Sequence, residues 1–247
     1  MRTRIAIAAL AAVIGLVSPS VAASGFSDWA AIVVAADYRA HSGADSEVFD
    51  NARRDISAEL VHLGFSSGNV MQFSVRPERY PADQPRHSDG QTIATSLWDL
   101  SNRTSGGCFA YFTSHGNTDG ISLGDDVLSP KKMNQIISNA CGDRPTVVIV
   151  SACFSGVFVP VLAAPNRMVF TAARPDRTSF GCGETFRYTF FDDCMVQDLP
   201  ASGDFPDLTK NVTACVSAKE KKEKIRYPSD PQVSIGASVA ALLPKWK

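Results

Sequence analysis

An excess of charge of either sign is nearly missing from this chain: 24 Lys and Arg stand against 25 Asp and Glu, a formal net charge of -1 over 247 residues. Without a basic excess or an alternation of aromatic and basic residues, an electrostatic nucleic-acid footprint is not expected. Metal chemistry has as little support. The histidines are His41, His62, His87 and His115, and neither a His-Glu-x-x-His motif nor a paired Cys-x-x-Cys occurs, so no metal site and no cofactor are expected. Asp125-Asp126 lacks the flanking acceptors of a calcium loop and reads as a turn. The absence of a Gly-x-Ser-x-Gly elbow weighs against a serine hydrolase. Past residue 23 no apolar run approaches the roughly 20 residues of a membrane span. Internal repeats and low-complexity tracts are also missing, which leaves one medium-sized globular domain with an ample core.

What is present begins at the N-terminus. Arg2 and Arg4 precede an apolar run from Ile5 to Val17, and small residues follow through Ser20-Val-Ala-Ala23. That is the layout of a secretory signal over residues 1–23, cleaved near Ala22 or Ala23. The mature chain, residues 24–247, is then expected to be secreted or periplasmic, with no stable membrane insertion. An oxidising compartment permits disulfides among the six cysteines.

After the signal, β-type apolar runs alternate with helical patterns. Strands are predicted over 29–36, 70–75, 108–114, 147–151 and 168–173, and helices over 46–63, 92–100 and 130–139. In the first helix Val48, Phe49, Ala52, Ile56, Leu60 and Leu63 share a face. Ser129-Pro130 suits a helix start. Residues 76–90 form a long loop, and the chain from about 205 reads as a helical, then irregular, extension. The run Lys219-Glu-Lys-Lys-Glu-Lys224 reads as a solvated helix face. Strand and helix in alternation imply a parallel sheet with right-handed crossovers. If the strands opening at Cys108 and following Cys141 are neighbours, those two cysteines lie at one sheet edge and can bridge. Cys194 and Cys215 can pair in the C-terminal third. Cys153 and Cys182 remain, with a third bridge as the alternative.

Two of these strands end on reactive side chains. The continuous apolar run Val147-Val-Ile-Val150 leads to Cys153, and Cys108-Phe-Ala-Tyr-Phe-Thr-Ser114 leads to His115. Ligands of open α/β sheets sit beyond the carboxyl ends of the strands, so an activated thiolate is expected there. Small neighbours, Ser114 and Gly116 about the His and Ala152 and Ser155-Gly156 about the Cys, leave room for a substrate carbonyl. The N–H groups of Gly116 and Cys153 could form an oxyanion hole.

At these residues the chain resembles a known family. Thr113-Ser-His-Gly116 and Ser151-Ala-Cys-Phe-Ser-Gly156 resemble the His-Gly and Ala-Cys-x-Ser-Gly motifs of legumains (asparaginyl endopeptidases), which are caspase-like cysteine peptidases. Asp37-Tyr-Arg39 resembles their Asn-Tyr-Arg segment, and Thr171-Ala-Ala-Arg-Pro-Asp-Arg-Thr-Ser-Phe-Gly-Cys182 resembles their Thr-Ala-Ala-Asn-Pro…Ser-Ser-Tyr-Ala-Cys segment. The likeness runs from about Trp29 to Asp193, and the Ser-Phe-Gly-Cys wording is that of short bacterial members. It implies a caspase-like three-layer α/β/α sandwich around a mostly parallel sheet. It also implies peptide-bond hydrolysis by a Cys153–His115 dyad, with peptide or protein substrates. Asp37 stands where the family has an Asn that steadies the His, and becomes a third member. Arg39, Ser179 and Asp192 fall on pocket positions for the side chain before the cut, expected to be Asn or Asp. The family's pocket Glu is here Ser151. The alternatives are a caspase-like binding or assembly module and a transpeptidase using the same cysteine.

Overall fold

The computed structural model describes residues 25–246; the expected signal segment lies outside them. The strands in chain order are β1 (Ala30–Ala35), β2 (Val70–Ser74), β3 (Arg86–His87), β4 (Cys108–Thr113), β5 (Gly116–Asn117), β6 (Gly120–Leu123), β7 (Asp126–Leu128), β8 (Thr146–Ser151), β9 (Arg167–Thr171) and β10 (Gln232–Ile235). The α-helices are α1 (Val48–His62), α2 (Gly90–Asn102), α3 (Pro130–Cys141), α4 (Val159–Leu162), α5 (Phe190–Asp198) and α6 (Phe205–Lys222). Seven strands form the central sheet in the order β10-β9-β8-β4-β1-β2-β3. All pairs in it are parallel except β10 with β9.

The layers follow from the two-residue period of a strand. β1, β4 and β8 are buried at every position, as expected of strands covered on both faces. Successive side chains point to opposite sides. Ala30, Ile32 and Val34 join Ala110, Phe112, Val148 and Val150 in a core under α2 and α3. Ala31, Val33, Phe109, Tyr111, Val147 and Ile149 join the other core, under α1, α5 and α6. Burying each such large side chain contributes roughly 1.5–3 kcal/mol, so both faces demand cover. The helices start where capping chemistry allows. Asp89 accepts from the N–H groups of Gln91 and Thr92 at α2, and Ser129 from Lys132 at α3 behind Pro130. One disulfide stands in each core: Cys108–Cys141 joins the start of β4 to the end of α3, and Cys194–Cys215 joins α5 to α6. Cys153 and Cys182 are free thiols.

The expected turn at Asp125-Asp126 is present ahead of α3, as the tip of a separate antiparallel sheet, β5-β6-β7. Two expectations need correction. The chain beyond 205 is not an appendage. Helix α6 packs into the core through Phe205, Leu208, Val212 and Val216, and β10 closes the edge of the central sheet. Within the charged run Glu220 is 3% exposed, because its carboxylate accepts from Ser229 N–H at 2.8 Å. Among the described residues no helix is long and apolar enough to cross a membrane.

Candidate active site

β4 and β8 are adjacent and parallel, with Thr113 paired to Ser151. His115 and Cys153 each stand two residues beyond that last pair, so both side chains emerge at the carboxyl rim of the sheet. Ser114 N–H donates to Ser151 O at 3.1 Å and prolongs the contact past the strand ends. The two loops then touch backbone to backbone. A Cβ on Gly116 would lie 2.4 Å from the Cys153 carbonyl oxygen and 3.0 Å from the Ala152 Cβ, so only glycine fits. Ser122 N–H donates to His115 O at 3.0 Å. Gly116 and Ile121 are therefore a non-hydrogen-bonded pair, and the Gly116 N–H is turned out of the hairpin.

His115 is oriented by two contacts. Its ring meets Phe49 edge to face, with centroids 5.2 Å apart, and Nε2 lies 2.8 Å from the Arg39 carbonyl oxygen. A carbonyl only accepts, so Nε2 carries the proton and Nδ1 is left as the basic nitrogen. Here the structure departs from the expected role of Asp37. Its buried carboxylate does not reach His115 but accepts from Tyr38 N–H at 2.7 Å and from Arg39 N–H and Nε at 3.0 Å each. Asp37 thus holds the turn that presents the Arg39 carbonyl. Arg39 departs as well. Its guanidinium is bound to Asp37, Asp125 and the Gly124 carbonyl, and it is not among the residues lining the space beneath Cys153. The Asp37 hydrogen bond, then its charge, raises the Arg39 pKa further.

The loop after β8 is built to hold the thiol. Phe154 adopts the left-handed region at φ 56, costing on the order of 1 kcal/mol for a residue with a side chain. Its N–H donates to Arg177 O at 2.7 Å. Ser155 Oγ accepts from Ala173 N–H at 3.1 Å, and a Cβ on Gly156 would lie 2.4 Å from Pro175 N. The Ser-Gly pair therefore anchors residues 173–177, which carry Ser179 to the cysteine. Ser179 N–H donates to Cys153 Sγ at 3.3 Å, and Sγ lies 3.5 Å from Ser179 O. Burial pushes the Cys153 thiol above its ordinary range; Ser179 N–H opposes this and the nearby Cys182 adds to it. This direction favours the neutral thiol over the thiolate.

Two connected spaces open here. An outer cleft of about 460 Å³ is bordered by His115, Gly116, Cys153 and the consecutive residues 178–183, with His41 on its wall. Beneath the sulfur lies a cavity of about 10 Å³ walled by Ser114, Ser151, Ser179, Cys182 and Thr189, room for about one water. Asp192 does not line this cavity. It is fully buried one helical turn deeper, accepting from Tyr111 Oη and Thr113 Oγ1 at 2.6 Å each, and burial raises its pKa. Thr189 was not foreseen. It caps α5 by accepting from Asp192 N–H at 3.1 Å, and its Oγ1 lies 3.4 Å from Ser151 Oγ. The helix-start spacing Thr189-Phe-Phe-Asp192 is the signal that could have found it. No group of three or more His, Cys, Asp or Glu that could hold a metal occurs among the described residues.

Comparison with known proteins bears on the family and the fold. The model of the Peptidase C13 family matches residues 88–223. No curated protein matches. Among solved structures, the crystal structure of caspase-1 from Spodoptera frugiperda is similar over 86% of this chain and 88% of that one. The TM-score is 0.61 at 14% identity, a likeness of fold. The α/β architecture is caspase-like.

Proposed function

The chain belongs to the peptidase C13 family, and from that premise we propose that it is an exported cysteine endopeptidase whose catalytic pair is Cys153 and His115. One observation carries this reading. The two residues stand at equal distances beyond register-paired ends of adjacent parallel strands, on one cleft, with the imidazole pinned through Nε2. His115 Nδ1 takes the thiol proton as Sγ attacks the scissile carbonyl, then returns it to the leaving amine. Burial raises the Cys153 thiol, so its deprotonation by His115 is part of the attack. The N–H groups of Gly116 and Cys153 receive the oxyanion, and water releases the acyl group. Asp37 acts through the Arg39 carbonyl rather than on the ring. The two disulfides are consistent with an extracellular or periplasmic location.

The side chain before the cut enters the outer cleft of about 460 Å³ that borders Cys153. Thr178 and Ser179 lie on that cleft, and the Arg39 guanidinium is engaged by Asp37, Asp125 and the Gly124 carbonyl. A neutral polar residue, Asn before Asp, suits such a space, since a carboxylate would find no cation there. The test is a peptide library scanned at that position against wild type and Cys153→Ala, with an electrophilic peptide as active-site label. Hydrolysis and labelling in wild type, both lost in the variant, are expected. An unreactive Cys153 with no hydrolysis would leave a caspase-like binding module. An added amine nucleophile, read by mass spectrometry of the products, separates hydrolysis from transpeptidation.

A further inference from the structure

We propose that Cys182 is a disulfide partner for Cys153, so that the two thiols form a reversible intramolecular bridge that covers the nucleophile under oxidising conditions. The bond itself stands on the geometry below; its effect on activity rests on the peptidase reading above.

Four of the six cysteines are spent in bridges on the two faces of the sheet. The remaining two, both half-buried, border the same cavity of about 10 Å³ as well as the outer cleft. Both residues therefore border one space that holds about one water. Chain connectivity agrees. Ser179 N–H already sits 3.3 Å from Cys153 Sγ, and Cys182 follows three residues later, a span of at most about 10 Å even if extended. Gly181, at φ 93, bends that span, and Gly183 follows Cys182. The cysteine is held from the other side by His41 N–H, which donates to Cys182 O at 3.1 Å, and by packing against Val48 and Phe49. Bridging requires this segment, flanked by two glycines, to bring the pair to the roughly 4.4–6.8 Å Cα separation of a disulfide.

The chemistry balances with a small disulfide, RSSR, as oxidant. Cys153 gives its proton to solvent, and the thiolate attacks one sulfur of RSSR. The first RS⁻ leaves and takes up a proton. Cys182, likewise deprotonated, attacks the Cys153 sulfur of the mixed disulfide and expels the second RS⁻. Two protein thiols are oxidised and one RSSR is reduced to two RSH. A reducing thiol reverses both steps. Because both thiols are pushed up by burial, thiolate is scarce and exchange is slow near neutral pH.

The experiment equilibrates the full-length protein in reduced and oxidised glutathione, quenches with acid, and maps cysteines by non-reducing digestion and mass spectrometry. A peptide joined through Cys153–Cys182 is expected, its oxidised-to-reduced ratio rising about tenfold for each 30 mV of more oxidising buffer. Peptide hydrolysis should fall in parallel and return with dithiothreitol. In Cys182→Ser the same buffers should stop at a glutathione adduct on Cys153. Wild type that yields only this adduct, with no joined peptide, overturns the proposal. The mapping needs no variant and no activity. A joined peptide in a protein that never cleaves substrate would sink the peptidase reading alone. Hydrolysis indifferent to the buffer, without a joined peptide, would sink the bridge alone.

Discussion

Gly116→Ala would place a methyl carbon 2.4 Å from the Cys153 carbonyl oxygen and 3.0 Å from the Ala152 Cβ. Neither neighbour can swing aside: one is backbone and the other a Cβ. Restoring an ordinary contact of about 3.5 Å requires the His115 and Cys153 loops to part by about 1 Å. Two magnitudes follow. Overpacking of this kind costs typically about 1–3 kcal/mol, which for a chain of this size lowers Tm by roughly 2–12 °C. A displacement of about 1 Å between reacting groups costs about 10²-fold in rate. The expected result is thus a modest loss of Tm with kcat/KM for a peptide substrate down about a hundredfold. Gly68 is the control, since nothing lies within 4 Å of its virtual Cβ; Gly68→Ala should stay within about 0.5 kcal/mol of wild type. Scanning calorimetry and steady-state kinetics on both variants provide the numbers. If Gly116→Ala kept wild-type kcat/KM while losing Tm, the close approach would be packing alone, and the separation of His115 and Cys153 would not govern catalysis.

The raised Cys153 thiol gives alkylation by iodoacetamide a definite sign: reactivity should climb with pH to a midpoint above about 8.5, the free thiol value. Peptide mapping reads Cys153 apart from Cys182, and a reactive plateau near pH 6 would reveal a resting thiolate–imidazolium pair instead. Asp37→Ala releases the N–H groups of Tyr38 and Arg39 and lets the Arg39 carbonyl drift from His115. It should lower kcat about 10- to 100-fold with KM nearly unchanged, with Asp37→Asn milder; equal kcat values would remove Asp37 from the positioning of His115. Removing the Cys108–Cys141 bridge as a double alanine variant opens a loop of separation 33, worth about 3–4 kcal/mol in denaturant unfolding. That bridge lies at the far rim, so kcat at a permissive temperature should hold, and a large loss of kcat would couple the two rims.

Much of the site is legible because its logic is local. The run from Val147 to Val150 and the run from Cys108 to Thr113 announce buried strands, and the residues that follow each strand necessarily share the sheet's carboxyl rim once the two are parallel. Pocket chemistry is not local. Arg39 carries a charge that a linear match places beneath the nucleophile, but Asp125 and Gly124 O, on the β6–β7 hairpin, draw it elsewhere. That hairpin was itself hard to see. Its strands are two to four residues long, and Asp125-Asp126 sits at its turn. β10 hides for a similar reason: as an edge strand with Val233 and Ile235 exposed, it lacks the continuous apolar run of the central strands. Glu220 is buried inside a charged run only because Ser229, nine residues on, returns to donate to it.

By itself the sequence determined the layered α/β plan, the cysteine and histidine at two strand ends, and the small residues around them. Those properties depend on periodicity, β-branching and steric size, which neighbours along the chain already express. Tertiary structure alone decided that the imidazole rests on the Arg39 carbonyl, that Thr189 and not Asp192 faces the space beneath the sulfur, and that Cys182 stands across from Cys153. Each of these depends on which distant partner satisfies a buried polar group, and that competition is settled only when the layers close.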